Sequence, residues 1–152
     1  MRYVLIDRCL ELDKGVRIRT VKCVTRGEPF LRELDRYPPT LVLETLLQTG
    51  AALARVTAGG DKRSFLGKIT EAEFPAFAQA GDRIDVLVEA IQSRPDGTML
   101  HGEARVDGAL VGRAEFMIGF LPAELVPAPD PKADERRRLT RKAIGLPPVE
   151  EA

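Results

Sequence analysis

Apolar and polar residues alternate most clearly in the second half of the chain. Within residues 99–106 the even positions are small or apolar and the odd positions are mostly polar, and residues 111–120 repeat the pattern. A period of two is typical of a strand with one face on the core and the other in water. Residues 84–91 form a third such run, and turn signals at 95–97 and 107–108 separate the three. The pattern predicts an antiparallel meander.

Two further extended segments open the chain, at residues 3–12 and 16–25. Gly15 between them can supply the positive φ that a tight turn needs, so a β-hairpin is predicted. In the second segment the alternation breaks at Val21 and Cys23. We expect a β-bulge there, because one extra residue in a strand restores the phase.

Residues 40–56 have the length and composition of a helix and are apolar on nearly every side. Pro38 and Pro39 precede it, where a first turn tolerates missing N–H groups, and Gly59 and Gly60 follow as a stop signal. A helix that is apolar all round is a buried one. We therefore expect this helix at the centre of the domain.

The remaining pattern adds a strand at residues 64–69 and a proline-rich extension over residues 122–152. Within the extension, residues 133–145 read as a short helix with acids at its start, bases at its end and Gly145 as its C-cap. Its three consecutive arginines, 136–138, fit either a solvated helix face or a docking surface for an acidic partner.

Composition narrows the function classes. A chain of 152 residues suits one domain with a sizeable core, and 23 basic residues balance 23 acidic ones, so charge indicates neither nucleic-acid nor membrane binding. No run approaches the ~20 apolar residues that span a bilayer, and no signal peptide is recognisable, so we expect the cytoplasm. Cys9 and Cys23 are expected as reduced, buried thiols, and the single histidine is too few for a zinc site.

Two strands, one long helix and four more strands make an α+β domain. We expect a hot-dog fold over residues 1–121, with a curved antiparallel sheet wrapped around one long central helix. Residues 122–152 would then be an appended extension.

Several stretches resemble one enzyme family. Residues 5–31, with an IDR, a glycine turn and an EPF, are similar to the opening of the 3-hydroxyacyl-acyl-carrier-protein dehydratases of fatty acid biosynthesis. Residues 41–53 resemble that family's central helix, with its glutamate and, one turn later, its glutamine. Residues 65–89 and 102–120 are similar to the remaining strands. The resemblance covers roughly residues 3–121 and implies the hot-dog fold.

The resemblance also implies a chemistry. In that family a helix glutamate, matched here by Glu44, works with a histidine from the other subunit to remove water from a 3-hydroxyacyl thioester. This chain is shorter between its EPF and Glu44, and Leu34 stands roughly where the histidine would be. Its sole histidine, His101, is expected on the polar face of a late strand. The family's proline-glycine at the helix start is Pro38-Pro39 here, which removes one N–H that could stabilise an oxyanion.

Glu44 is the one carboxylate in the apolar helix, and two interpretations of it stay open. Thr40, Glu44 and Gln48 fall on one helical stripe, and Glu44 and Gln48 are neighbours across one turn. A buried carboxylate must be hydrogen-bonded, protonated or in contact with a water-filled pocket. It is therefore either a structural group capped by Gln48 or an acid or base facing an acyl thioester.

Three hypotheses about function follow. The first is a dehydratase-like protein that binds acyl thioesters, on carrier protein or coenzyme A, but dehydrates weakly or not at all. The second is an active dehydratase whose base is Asp35 or Glu33. The third is a thioesterase in which Glu44 activates water against the thioester.

We expect the catalytic residue to be Glu44 and the substrate-binding residues to be Thr40, Leu47, Gln48, Phe30 and Phe65. The resemblance implies a homodimer, with higher assembly left open, in which the sheets join and the central helices pack side by side through Gly50, Ala51, Ala52 and Ala54. We expect no cofactor and no metal. Acyl chain length, the choice of carrier and the role of the extension are not predicted.

Overall fold

The computed structural model describes residues 4–59, 62–126 and 130–148, without the side chains of Phe30 and Ala123. Gly60 and the prolines at 127 and 129 therefore lie outside the described residues. The elements are the strands β1 (Arg8–Asp13), β2 (Arg17–Cys23), β3 (Ser64–Glu73), β4 (Arg83–Arg94), β5 (Gly97–Val106) and β6 (Ala109–Phe120), and the helices α1 (Pro39–Ala58) and α2 (Pro131–Ala143).

The six strands form one antiparallel sheet in the order β1-β2-β4-β5-β6-β3. Helix α1 contacts five of them, from β2 to β3. Strands lie about 4.8 Å apart and a helix is only about 10 Å wide, so five strands can touch one helix only if the sheet curves around it. The hot-dog fold and the predicted meander of β4, β5 and β6 are confirmed.

Small residues let α1 approach the sheet closely. A Cβ at Gly50 would lie 2.5 Å from the ring of Phe116 on β6, and the Thr49 hydroxyl bonds to the Thr20 hydroxyl of β2 at 2.9 Å. Ala52 and Ala54 are also buried within the chain. The expectation that all these residues serve a helix–helix contact is therefore wrong: they pack against the sheet, and Ala51 alone stays partly exposed.

The expectation that α1 is buried on all sides is also wrong. Its side toward the sheet is buried, but Glu44 and Thr40 are exposed and Leu43 and Leu47 are only half-buried. The sheet covers one side of the helix. On the other side the N-terminal segment reaches Gln48 through Leu5, and Glu44 and Thr40 stay exposed. No described helix is both long enough and apolar enough to cross a bilayer.

A buried ion pair explains the irregular pattern of β2. The predicted bulge is wrong for this strand, which pairs with β4 without a break; the register shift lies in β1, between Cys9 and Glu11. Lys22 faces the helix side with Ile18 and Thr20, and its Nζ lies 2.7 Å from Glu28 Oε1. The side chains of Lys22 and Glu28 are only 8% and 12% exposed. Lys22 occupies a core position, so the polar residue breaks the sequence alternation although the strand is regular.

We expect Lys22→Met to destabilise the protein by about 3 kcal/mol, because it leaves the Glu28 carboxylate buried without its cation. Chemical denaturation measures the change. The control is Arg19→Met on the same strand, whose ion pair with Glu11 is half-exposed and should be worth less than about 1 kcal/mol. Equal losses in the two variants would contradict the assignment.

The two cysteines are free, but the prediction that both are buried is wrong. Cys9 is half-buried on the edge strand β1, and Cys23 is exposed at the end of β2. Partial burial raises the pKa of the Cys9 thiol, which is therefore a poor nucleophile at neutral pH.

The extension packs on the domain. Helix α2 follows the N-cap Asp130, whose side chain accepts a bond from Lys132 N, and its last residue is Ala143. Its C-cap is Ile144, and the predicted C-cap, Gly145, is the next residue, with φ 76°. Beyond the helix, Ile144 and Leu146 join the hydrophobic core. Cys9 N donates to Ile144 O at 2.6 Å, so the tail partly covers the edge of β1 that faces away from β2.

This anchoring predicts a stability difference between two leucines of the tail. Leu146 is 6% exposed and Leu139 is 53% exposed. We expect Leu146→Ala to cost about 2–3 kcal/mol and Leu139→Ala less than about 0.5 kcal/mol. Thermal denaturation of both variants measures the difference, and an unchanged melting temperature in Leu146→Ala would show that the tail is not part of the cooperative unit.

Candidate functional site

A chain of two hydrogen bonds fixes the carboxylate of Glu44. Gln48 Nε2 donates to Glu44 Oε1 at 2.9 Å, and Gln48 Oε1 accepts from the backbone N–H of Leu5 at 2.9 Å. Both bonds require the same orientation of the Gln48 amide. The carboxylate is thus positioned by a backbone group of the N-terminal segment rather than free to rotate, while the residue itself stays exposed.

Apolar side chains flank this carboxylate. Leu43 and Leu47 lie half-buried on the same open side of α1, which contacts β3. In β3, Leu66 pairs with Ile118 and Ile69 with Phe116, two core residues of β6. Paired residues share a face of the sheet, so Leu66 and Ile69 also point to the helix side. They are nonetheless 44% and 38% exposed.

We call the open side chains of these two elements the apolar strip. Its members are Leu43 and Leu47 on α1 and Leu66, Ile69 and Ala72 on β3. Thr40 and Glu44 supply exposed polar groups on the same side of α1. A carboxylate held beside uncovered apolar surface is an arrangement that can orient a molecule with a long apolar part and a polar reactive end.

Within the chain Phe65 lies away from Glu44, and its role in substrate binding stays a prediction. Phe65 pairs with Gly119 and its ring occupies the space that a Cβ at Gly119 would fill, on the outer face of the sheet and away from α1. Leu66 and Ile69, which sequence reasoning missed, take the helix-side positions instead. The side chain of Phe30 lies outside the described residues.

The start of α1 offers little to a developing negative charge. Pro38 is an N-cap without a side-chain bond, and Pro39 has no N–H. The N–H groups of Leu41 and Val42 both bond to Pro38 O, at 2.9 and 3.3 Å. Thr40 is left as the first-turn residue whose N–H has no acceptor within the helix.

The loop before α1 is held at both ends and exposed between them. Glu28 pairs with Lys22 at one end, and Tyr37 N donates to Ala78 O at 2.7 Å at the other. Glu33 and Asp35 are exposed in between, as is Leu34.

Neither of two other titratable groups can serve as a base beside Glu44 within the described chain. Burial raises the pKa of the Tyr37 phenol, the negative charge of Glu28 adds to this, and the nearby Thr45 hydroxyl offsets only part. Tyr37 is therefore a neutral phenol at pH 7 and not a base. His101 lies on the outer face, 3.9 Å from Glu103 and 3.8 Å from Glu115, with the sheet between it and α1.

Comparison with known proteins also points to the dehydratase family. No protein-family model matches the chain. It is 34% identical over 128 residues to the 3-hydroxyacyl-acyl-carrier-protein dehydratase FabZ of Syntrophotalea carbinolica, a match covering 79% of this chain and 86% of the relative.

Two solved structures share the fold at low identity. The dehydratase heterocomplex ApeI:P from Xenorhabdus doucetiae has a TM-score of 0.67 at 12% identity, covering 80% of this chain and 85% of that one. A hypothetical thioesterase with coenzyme A from Streptococcus pneumoniae TIGR4 has a TM-score of 0.62 at 7% identity, covering 75% and 84%. At these identities the likeness concerns the fold alone. The curated relatives, which match over most of both chains, give the family: this protein belongs to the 3-hydroxyacyl-acyl-carrier-protein dehydratase FabZ family.

Proposed function

We propose that this protein binds acyl thioesters, with the acyl chain along the apolar strip and the thioester near Glu44. The observation that carries the proposal is the Glu44 carboxylate, fixed by Gln48 and Leu5 beside apolar side chains that the chain itself leaves uncovered. Thr40, Leu47 and Gln48 are the proposed binding residues on α1. The curated relatives act on thioesters of acyl carrier protein, which supports this substrate class.

Dehydration is proposed to be weak or absent. The reaction removes a proton from the carbon next to the thioester carbonyl and delivers a proton to the departing hydroxyl, so it needs two groups of different proton affinity. Glu44 can perform one of these transfers. The chain's single histidine is His101, behind the sheet, and Pro39 lacks an N–H for the carbonyl oxygen. A missing oxyanion donor alone typically costs about 2.7–4 kcal/mol.

The alternative function is thioester hydrolysis, which needs only one carboxylate. Glu44 would take a proton from water while the water oxygen attacks the thioester carbonyl; the carbon–sulfur bond then breaks and the thiol leaves with a proton. The structural likeness to a hypothetical thioesterase with coenzyme A favours keeping this candidate. An active dehydratase that uses Glu33 or Asp35 as its base is the remaining possibility.

The site is proposed to be completed by a second copy of the chain. Strand β3 is a sheet edge with nine exposed residues, whereas the opposite edge, β1, is partly covered by the tail at Ile144. An open edge is a template for pairing, and two copies joined along β3 would bring two apolar strips together. The acyl chain would then lie between two subunits, in a slot that both apolar strips line. Higher assembly is left open, and the cytoplasm is the proposed compartment.

One assay separates the three functions. Purified protein is mixed with 3-hydroxyacyl and enoyl thioesters, and the enoyl absorbance and the release of free thiol are followed together. Binding with little change in either signal is the expected result. Rapid enoyl formation would favour the active dehydratase, rapid thiol release would favour the thioesterase, and absence of binding would contradict all three.

A further inference from the structure

A cavity of about 560 Å³ opens at the end of the sheet where β3 begins and β6 ends. Two backbone hydrogen bonds join its walls. Phe120 N donates to Asp96 O at 2.9 Å, and Leu121 N donates to Arg63 O at 2.8 Å. Asp96 lies in the turn between β4 and β5, so three separate segments of the chain are fixed to one another around the cavity.

Within one chain this cavity lies far from Glu44. A Cβ at Gly112 would touch the first turn of α1, and a Cβ at Gly50 would touch Phe116, so β6 runs in the same direction as α1. Phe120, at the end of β6, therefore lies toward the C-terminal end of the helix. Glu44 lies in the second turn, and about 21 Å of helix separates it from that end.

Positive charge is in excess beside the cavity. Lys62 Nζ lies 5.4 Å from the centroid of the Phe120 ring, and Arg63 follows it in the lining. Arg63 and Arg137 of α2 both pair with the same carboxylate oxygen, Asp134 Oδ1, which Arg63 Nη2 approaches to 4.0 Å. Arg137 Nε is buried and has no hydrogen-bond partner among the described residues. Three cations thus share one carboxylate, an arrangement that a further anion can complete with charge-assisted hydrogen bonds.

Most of the remaining lining is apolar. Its apolar members are Pro95, Phe120, Leu121, Pro122 and Val126. Asp96 is the one acidic side chain among the described lining residues, and it is exposed, so water and salt screen its charge. Small-molecule sites typically have volumes of about 300–1,000 Å³ and are mostly apolar with a few polar anchors. The cavity fits that description.

We propose that this cavity binds a small organic acid, with the carboxylate beside Lys62 and Arg63 and the apolar body against Val126 and the two prolines. Binding there uses neither Glu44 nor the apolar strip, so the inference stands apart from the proposed function. An inorganic anion fits less well because it leaves the apolar walls in water. A nucleotide fits less well because its base and sugar need several hydrogen-bond partners, and Asp96 supplies the one side-chain acceptor of the described lining.

The test titrates the isotope-labelled full-length protein with 2-naphthoate, with octanoate and with inorganic phosphate, and follows the backbone amide chemical shifts. The two acids distinguish a flat ring from a flexible chain as the apolar body. The variant is Lys62→Glu, which reverses an exposed charge of the lining. The control is Arg83→Glu, the same change in net charge at an exposed cation that starts β4, at the opposite end of the sheet. Circular dichroism verifies that both variants are folded.

At least one of the two acids is expected to saturate the wild-type protein, with shifts at the amides of Arg63, Asp96 and Leu121. It should bind at least about tenfold more tightly than phosphate, because burial of its apolar body adds to the charge interaction. Lys62→Glu should weaken it at least about tenfold, and Arg83→Glu should leave it unchanged.

Three results would overturn the inference. The first is that neither acid saturates the protein, or that phosphate binds as tightly as the acids. The second is equal weakening in Lys62→Glu and in the control. The third is that the shifts appear at Leu43 and Leu47 instead, which would place the acid on the apolar strip and so uphold the proposed function while removing this site.

Discussion

Ile69→Asp is expected to separate the proposed dimer into monomers. The substitution puts a carboxylate among the apolar side chains of β3 that the proposed second copy covers, once in each subunit. Burying an unpaired charge is costly enough that the charge escapes to solvent instead, and the interface opens. We expect the dissociation constant of the dimer to rise at least about 100-fold, which corresponds to about 2.8 kcal/mol. Sedimentation velocity over a range of concentrations measures it.

The matched control is Ile91→Asp, the same substitution at an isoleucine that is 55% exposed on β4, away from the open edge. It should sediment as wild type. The monomeric variant should also lose acyl-thioester binding, because half of its slot is gone. The proposal that the acyl chain lies between two subunits would be contradicted by a wild-type protein that is monomeric at high concentration. It would equally be contradicted by an Ile69→Asp variant that dimerises normally.

The second large effect is expected from Glu44→Gln. Glutamine has the size of glutamate and keeps a hydrogen bond to Gln48, but it neither accepts nor releases a proton at neutral pH. Whatever slow turnover of acyl thioesters the wild type has, by dehydration or by hydrolysis, should fall at least about 100-fold, the usual contribution of a positioned acid or base. Affinity for the thioester should change less than about threefold, since the apolar strip is intact.

Single-turnover measurements with a sensitive thiol or enoyl readout give the rate, and a binding titration gives the affinity. Glu89→Gln, which removes an exposed carboxylate on β4, is the control and should turn over as wild type. Turnover that persists in Glu44→Gln would assign the chemistry to Glu33, Asp35 or a contaminating enzyme. Loss of binding with no change in bound-state turnover would make Glu44 a binding residue.

Sequence alone predicted the elements whose burial is one-sided. Strands β5 and β6 have one wet face, so their alternation is visible, and the glycines at 15, 59 and 145 have the positive φ that a turn or helix end requires. In β2 the alternation was not visible, because Lys22, which pairs with Glu28, occupies a core position. Ion pairs between distant residues leave no local signal.

The site was predictable on α1 and not on β3. Glu44 and Gln48 are one helical turn apart, so their hydrogen bond follows from helix geometry. Phe65 and Leu66 are both large and apolar, and only the pairing register with β6 decides which one faces the helix. Two register shifts in this pairing, between Leu66 and Lys68 and between Ile69 and Glu71, make the parity unreadable from sequence.

The exposure of Glu44 has the same origin as the open edge of β3. The sequence pattern indicates that α1 is apolar, but which side of the helix is buried depends on the elements that pack against it. In one chain the sheet covers the side with Thr45 and Leu46 and leaves the side with Glu44 and Leu47 open. The remaining cover, in this account, comes from a second subunit and from the acyl chain itself.

The most direct test is the dependence of affinity on acyl chain length. Acyl-coenzyme A thioesters with progressively longer chains are titrated into the wild-type protein at constant ionic strength, with free coenzyme A as the reference. If the acyl chain is buried on the apolar strip, each added methylene contributes up to about 0.8 kcal/mol to the free energy of binding. Affinity then rises about fourfold per carbon until the slot is full. Affinity that is the same for free coenzyme A and for every chain length would mean that no acyl chain is bound beside Glu44.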